Sequence, residues 1–95
     1  MKYIAMEHEV VNTSAEDFQP HLRNEAARLW QLYQEGVVRE SYFRADQHTA
    51  VLVLECENEA AVCEALDSLP LVRAGLITFE VIPLMPYSGF ARLFE

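Results

Sequence analysis

An α+β fold is predicted for this chain, read as strand–helix–strand twice over. That order gives a four-stranded antiparallel sheet with both helices on one face. Three observations predict it. Stretches with strand character at 2–11, 37–44, 49–57 and 76–83 interleave with two helical patterns in the order βαββαβ. Each helical pattern has an apolar stripe on one side only, so each must lie against another layer. The length of 95 residues, 52% of them apolar, suits one compact domain. With both helices on one face, the other face of the sheet stays partly apolar and calls for a partner.

The elements follow in order. Lys2–Val11 alternates as a strand, led by Tyr3, Ile4 and Ala5 and closed by Val10 and Val11. Thr13-Ser14-Ala15-Glu16 matches a capping box and opens a long helix over 15–35, with Pro20 offsetting or kinking its start. Gly36 ends that helix as a left-handed cap. Val37–Arg44 is the second strand, and Ala45-Asp46-Gln47-His48 makes the turn. Thr49–Glu57, rich in β-branched residues and leucine, reads as a central strand. Asn58 caps a second helix that carries Ala61, Val62, Ala65, Leu66 and Leu69 on one face and ends before Pro70. Residues 71–74 link to a turn at Gly75 and a fourth strand, Leu76–Pro83. The domain therefore spans 1–83. The remainder, 84–95, holds Pro86, Tyr87, Phe90, Leu93 and Phe94, and is expected to pack as an apolar arm on its own domain or on a partner subunit.

Composition narrows the function. A net charge of −8 disfavours nucleic acid and anionic membrane as partners, since both need a basic surface. Met1–Val11 is broken by Glu7 and Glu9, unlike a secretory signal, so a cytoplasmic location is expected. Cys56 and Cys63 suit neither a zinc site nor a redox pair and read as reduced, largely buried thiols. No His–Glu pair has metal-ligand spacing, so no metal site is expected, and no glycine-rich phosphate loop exists. Trp30 and the other aromatics read as packing residues.

Two local anomalies point to chemistry. The stripe of the first helix is Phe18, Leu22, Leu29, Leu32 and Gly36, and Glu25 falls inside it. A carboxylate on a buried face is costly unless paired or protonated, and burial would raise its pKa toward that of a general base. The alternative is a Glu25 at the stripe's edge, paired with Arg28 or Arg23. The second strand is unusually polar. Alternation puts Arg39, Ser41 and Phe43 on one face and Glu40, Tyr42 and Arg44 on the other. An arginine there could bind a substrate carboxylate, or simply make a cross-strand ion pair on an edge strand. His48 stands at a strand end, where site residues commonly gather.

The run from Glu25 through Gln34-Glu35-Gly36 to Arg39, then His48, Leu69-Pro70-Leu71 and Phe79-Glu80-Val81, resembles the muconolactone isomerase family of the dimeric ferredoxin-like α/β-barrel superfamily. The resemblance covers about 16–83. It implies a ferredoxin-like fold whose sheets pack face to face in a homodimer or higher homo-oligomer, with a small-molecule pocket between helix and sheet. It also implies proton transfer next to a lactone carbonyl by a helix carboxylate, without a cofactor. That carboxylate falls on Glu25, with Arg39 and His48 also at family positions. The chain departs from the pattern at Ile4 and Met6, where the family has a polar His- and Lys-bearing strand, at Val38, where it has tryptophan, and in the tail 86–90.

Two functions compete, with a cofactor-free or haem-linked oxygenase on the same scaffold as a third and weaker reading. The first is a cofactor-independent isomerase of a small lactone or unsaturated acid. In it Glu25 takes the proton, Tyr42 or His48 returns it, and Arg39 or Arg44 holds the substrate carboxylate or a developing enolate. The second is a non-catalytic small-ligand-binding or assembly domain of the same superfamily, lined by Ile4, Met6, Val51, Val53 and Ile82.

Overall fold

In the computed structural model, which describes residues 1–95, the chain runs β1 (Lys2–Glu9), α1 (Ala15–Phe18), α2 (Leu22–Gln34), β2 (Val38–Phe43), β3 (Ala50–Glu55), α3 (Glu59–Asp67), α4 (Pro70–Arg73) and β4 (Ile77–Pro83). A 3₁₀ turn, Gln19–His21, joins α1 to α2, and another, Gly89–Phe94, lies in the tail. The four strands form one antiparallel sheet in the order β2-β3-β1-β4, the ferredoxin-like arrangement expected. No helix is long and apolar enough to cross a membrane.

Strand β1 organises the core. Tyr3 and Ala5 project toward the helices and are buried, opposite Leu54 and Leu52 of β3. Leu32 from α2 and Val62, Ala65 and Leu66 from α3 close over them, with Val38 and Leu69. The even positions of β1 take the open face. Ile4 and Met6 there sit beside Val53 and Val51 of β3, with Ile82 of β4 across from Ile4. Only 13 of 95 residues are buried. So small a core leaves the open sheet face and the tail as the principal uncovered apolar surfaces.

Local chemistry explains the boundaries, and several differ from the sequence reading. The first helix begins at Ala15 as expected, but its capping box lies one residue later than Thr13–Glu16. Ser14 is its N-cap and Asp17 the reciprocal partner, with the Ser14 amide donating to Asp17 Oδ2 at 2.9 Å. Thr13 instead closes a turn, its hydroxyl donating to the Val10 carbonyl at 2.9 Å, and Asn12 takes φ +70°. Val10 and Val11 therefore fall outside β1. The single long helix expected over 15–35 is interrupted at Gln19–His21, because Pro20 has no amide to donate and tightens the turn to 3₁₀. Gly36, at φ +80°, ends α2 with its amide on the Tyr33 carbonyl and that of Val37 on Leu32.

Asn58 caps α3 as expected, accepting from the Ala61 amide at 2.9 Å. The residues after it are not a plain link. Pro70 stops α3 and opens the one-turn α4, since a proline is well placed at the first helical position. Cys63 is exposed rather than buried, because it lies off the stripe that Val62, Ala65 and Leu66 press into the core, and both cysteines are free. Trp30 is 58% exposed and stacks on Tyr33 rather than packing inward.

Strand β2 carries a register shift between Val38 and Glu40. The shift reverses alternation, so Val38, Ser41 and Phe43 all pair with helix-facing positions of β3. Arg39 sits within the irregularity, its Nε donating to the Gly36 carbonyl at 2.6 Å.

The tail leaves the body. Met85, Tyr87, Phe90, Leu93 and Phe94 are 67–86% exposed, and the molecule measures 57 × 29 × 20 Å.

Truncating Leu54→Ala should cost about 2–5 kcal/mol of stability, because it is fully enclosed in a core this small. Val11→Ala, at an exposed turn, should stay within about 0.5 kcal/mol. Urea unfolding of the two variants checks the contrast, and equal losses would contradict the core assignment.

Candidate functional site

The site grows out of the end of β1. Odd positions of this strand face the helices, so Glu7 continues the line of Tyr3 and Ala5 toward the beginning of α2. The core has run out there, and Glu7 is only half-buried. Its Oε1 accepts from the Ala50 amide at a long 3.4 Å. Burial pushes its carboxyl above the ordinary range, and the charges of Glu9 and Glu25 push it further. The Ala50 amide and the His48 imidazole act in the opposite direction.

Glu25 lies in the first turn of α2 and is also half-buried. It makes no ion pair with Arg23 or Arg28. Its Oε1 accepts from the Leu71 amide at 2.9 Å. Pro70, the first residue of α4, has no amide, so Leu71 offers the first donor of that helix end, and Glu25 takes it. Arg28 instead donates to Ser68 Oγ at 2.8 Å and to Gln31. Burial raises the Glu25 carboxyl, partly offset by the Leu71 amide and by His21. Its second oxygen remains available.

His48 arrives from the β2–β3 turn and stacks on Phe43, ring centres 4.2 Å apart. Glu7, Glu25 and His48 thus gather at one end of the sheet, close enough for the Glu7 carboxyl to feel both of the others. Two hollows bear on the site, of which only the second is lined by residues of this cluster. One, about 360 Å³, lies between α2 and β2 and is lined by Ala26, Leu29, Trp30, Tyr33 and Ser41. The other, about 410 Å³, opens at the strand ends among Glu7, His8, Glu9, Gln47, His48 and Thr49.

The remaining candidates lie apart from this cluster. Tyr42 pairs with Val51 on the open face of the sheet, and its hydroxyl donates to Glu40, which pushes its pKa up. Arg39 is at the opposite end of β2 from His48. Arg44 is close to the turn but grips Asp46 with two bonds, at 2.9 and 2.7 Å, which holds the Asp46 carboxyl below its usual range. No group of three His, Cys, Asp or Glu side chains is arranged to hold a metal ion.

Glu7 was not singled out by the sequence reading, although the signal was present. It is the next helix-facing position after Tyr3 and Ala5, and an acid there is as anomalous as Glu25 in its stripe.

The raised carboxyls have a consequence for stability. The folded state holds these protons more tightly than the unfolded chain does. This contribution is complete below the ordinary carboxylate pKa and fades as pH rises through the raised values. Glu7→Gln removes the titration, so the variant should gain on the wild type as pH rises from about 4 to about 8. Thermal unfolding of both proteins across that range checks this, and a constant offset would contradict it.

The comparisons agree with this architecture. Residues 3–89 match the muconolactone delta-isomerase family. A solved structure of muconolactone isomerase superposes with a TM-score of 0.76 at 19% identity, covering 93% of this chain and 92% of that one. The 5-chloro-2-hydroxyhydroquinone dehydrochlorinase of Burkholderia phenoliruptrix AC1100, solved in complex with 2,5-dihydroxybenzoquinone, superposes at 0.65 and 17% identity, covering 94% and 98%. None of the curated proteins is detectably similar in sequence. At such identities the structural likenesses speak for the fold, and the match over residues 3–89 speaks for descent: the chain belongs to the muconolactone delta-isomerase family.

Proposed function

We propose that this chain is a cofactor-independent isomerase that moves a proton next to the carbonyl of a small lactone or unsaturated acid, with Glu25 as the base. The observation that carries this reading is the state of Glu25. It is a half-buried carboxyl without an ion-pair partner, its pKa raised by burial, with one oxygen pinned by the Leu71 amide and the other unengaged. A base is most effective when its pKa lies near the working pH. The pinned oxygen fixes the aim of the free one.

In this reading Glu25 takes the proton from the carbon beside the carbonyl. The C–H electron pair passes into an enolate, the double bond shifts along the conjugated system, and a proton returns to its far end. His48 is the proposed donor of that proton. Electrons and atoms balance within the substrate, so no oxidant is required. The hollow between α2 and β2, apolar apart from Ser41, suits the substrate's hydrocarbon part.

A second reading has its own observation. The Glu25–Leu71 bond also caps α4, and a carboxylate kept for that purpose would serve a non-catalytic small-ligand-binding domain equally well.

We also propose a homo-oligomer whose sheets meet on the open face around Ile4, Met6, Val51, Val53 and Ile82, with the arm 84–95 lying on a partner subunit. The exposed aromatics of that arm favour this placement, since they find no cover on their own domain.

Glu25→Gln keeps an oxygen for the Leu71 amide and removes the base. It should leave circular dichroism unchanged and slow carbon-bound hydrogen exchange of a lactone panel in heavy water about 10²–10⁴-fold. Undiminished exchange in the variant would assign the proton transfer elsewhere. Replacing Phe90 and Phe94 with serine should lower the solution mass seen by light scattering; an unchanged mass would remove the arm from the assembly.

A further inference from the structure

Removing a proton beside a carbonyl drives negative charge onto the carbonyl oxygen, and a donor aimed at that oxygen is usually the largest aid to such a step. The arginines do not supply one at this end of the sheet. Arg44 is gripped by Asp46, and Arg28 is taken by Ser68 and Gln31. Arg39 lies at the far end of β2, its Nε on the Gly36 carbonyl. The strand-end hollow of about 410 Å³ has a wholly polar lining that includes Glu7 and His48 but no arginine or lysine.

Glu7 has the placement of such a donor. It lines this hollow beside His48 and stands on the helix-facing side of β1. Its Oε1 faces the Ala50 amide at 3.4 Å, and its other oxygen takes part in no hydrogen bond or ion pair. On α2, Glu25 directly precedes Ala26, which lines the apolar hollow, and the charge of Glu25 reaches Glu7 in the strand-end hollow. The groups around the two carboxyls set them apart. Burial raises Glu7, and so do Glu9 on its own strand and Glu25 from α2. The Ala50 amide of β3 and His48 from the β2–β3 turn oppose them, and the balance is upward. Phe79, opposite on β4, carries no charge. Glu25 is raised by burial and lowered by the Leu71 amide and His21, and Glu7 is not among the charges acting on it. Glu7 thus titrates in the presence of the Glu25 charge, which favours the proton staying on Glu7. Two carboxyls held apart in this way divide into a base and a hydrogen-bond donor.

We propose that Glu7 is a further catalytic residue: its carboxyl, lining the strand-end hollow beside His48, donates a hydrogen bond to the substrate's carbonyl oxygen as the enolate forms. This deepens the isomerase reading and rests on it. Glu25 takes the proton from carbon, the electron pair moves onto the oxygen that Glu7 holds, and His48 returns a proton at the far end of the conjugated system. Glu7 keeps its own proton throughout. Once it is ionised it has nothing to donate and repels the enolate, so the rate falls as pH rises through the Glu7 titration. On the acid side the rate falls as Glu25 takes up a proton.

The test follows carbon-bound hydrogen exchange of a five-membered β,γ-unsaturated lactone in heavy water across pH. The Glu7 carboxyl and the His48 imidazole are titrated by NMR in the same protein. The alkaline decline of the wild type should follow the Glu7 carboxyl rather than His48. Glu7→Met keeps the side chain's length and removes the donor; it should lower kcat about 10²–10³-fold, with KM changed far less. Glu7→Gln, whose amide donates in place of the acid, should fall less than Glu7→Met and lose the decline at the wild-type position. Glu25→Gln should lower the Glu7 titration, since the neighbouring charge is gone, and this readout needs no turnover. An undiminished rate in Glu7→Met, a decline that follows His48 or stays in place in Glu7→Gln, or a Glu7 titration indifferent to Glu25→Gln would overturn the proposal. Exchange that depends on Glu25 and not on Glu7 would remove this role and leave the isomerase reading standing. No exchange by the wild type would remove both.

Discussion

Everything in this domain depends on the two-residue period of the central strand β1. Tyr3 and Ala5 set the helix-facing side, and the strands paired on either side must match it, or their apolar residues turn to solvent. The same period carries Glu7 to the helix-facing side just beyond the core, and Ile4 and Met6 to the open face. Core, site and proposed interface are thus three readings of one alternation. Shifting β1 by one residue would exchange them.

The second constraint is the meeting of α2 with α4. Pro70 ends α3 because its ring cannot continue the helix. It opens α4 because the amide it lacks is not needed at the first position. The first free amide is then that of Leu71, and Glu25 fills it. A local rule about proline therefore decides which group holds a half-buried carboxylate on another helix. The arrangement also explains why Glu25 stays tied to the backbone rather than to an arginine. Arg28, one turn along, is already engaged by Ser68 and Gln31.

Electrostatics distinguishes the two ends of the sheet. At the end where β1 leaves the core, Glu25 is near enough to raise the cost of ionising Glu7. The one arginine nearby is neutralised within its own turn. An acidic chain of net charge −8 has few cations to place, and this one does not spend them at the site. The two carboxyls are instead held by backbone amides, Glu7 by that of Ala50 and Glu25 by that of Leu71.

Periodicity and turn chemistry by themselves determined the order of elements, the antiparallel sheet with helices on one side, the caps at Gly36 and Asn58, and the suspicion attached to Glu25. These are local properties, legible because helix and strand repeat at different intervals and because glycine, proline and asparagine have distinct backbone preferences. Tertiary structure decided the rest. The register shift at Arg39 reversed the faces of β2, and no alternation within that strand records it. The capping box moved from Thr13 to Ser14 because Thr13 was used in closing the preceding turn. Cys63 turned outward with the phase of α3. The gathering of Glu7, Glu25 and His48, and the occupation of Arg44 by Asp46, depend on distances between segments far apart in the chain. Spacing along a sequence sets a residue's face, but only the packed fold sets its neighbours, and it is the neighbours that decide a carboxyl's pKa and a hydroxyl's partner.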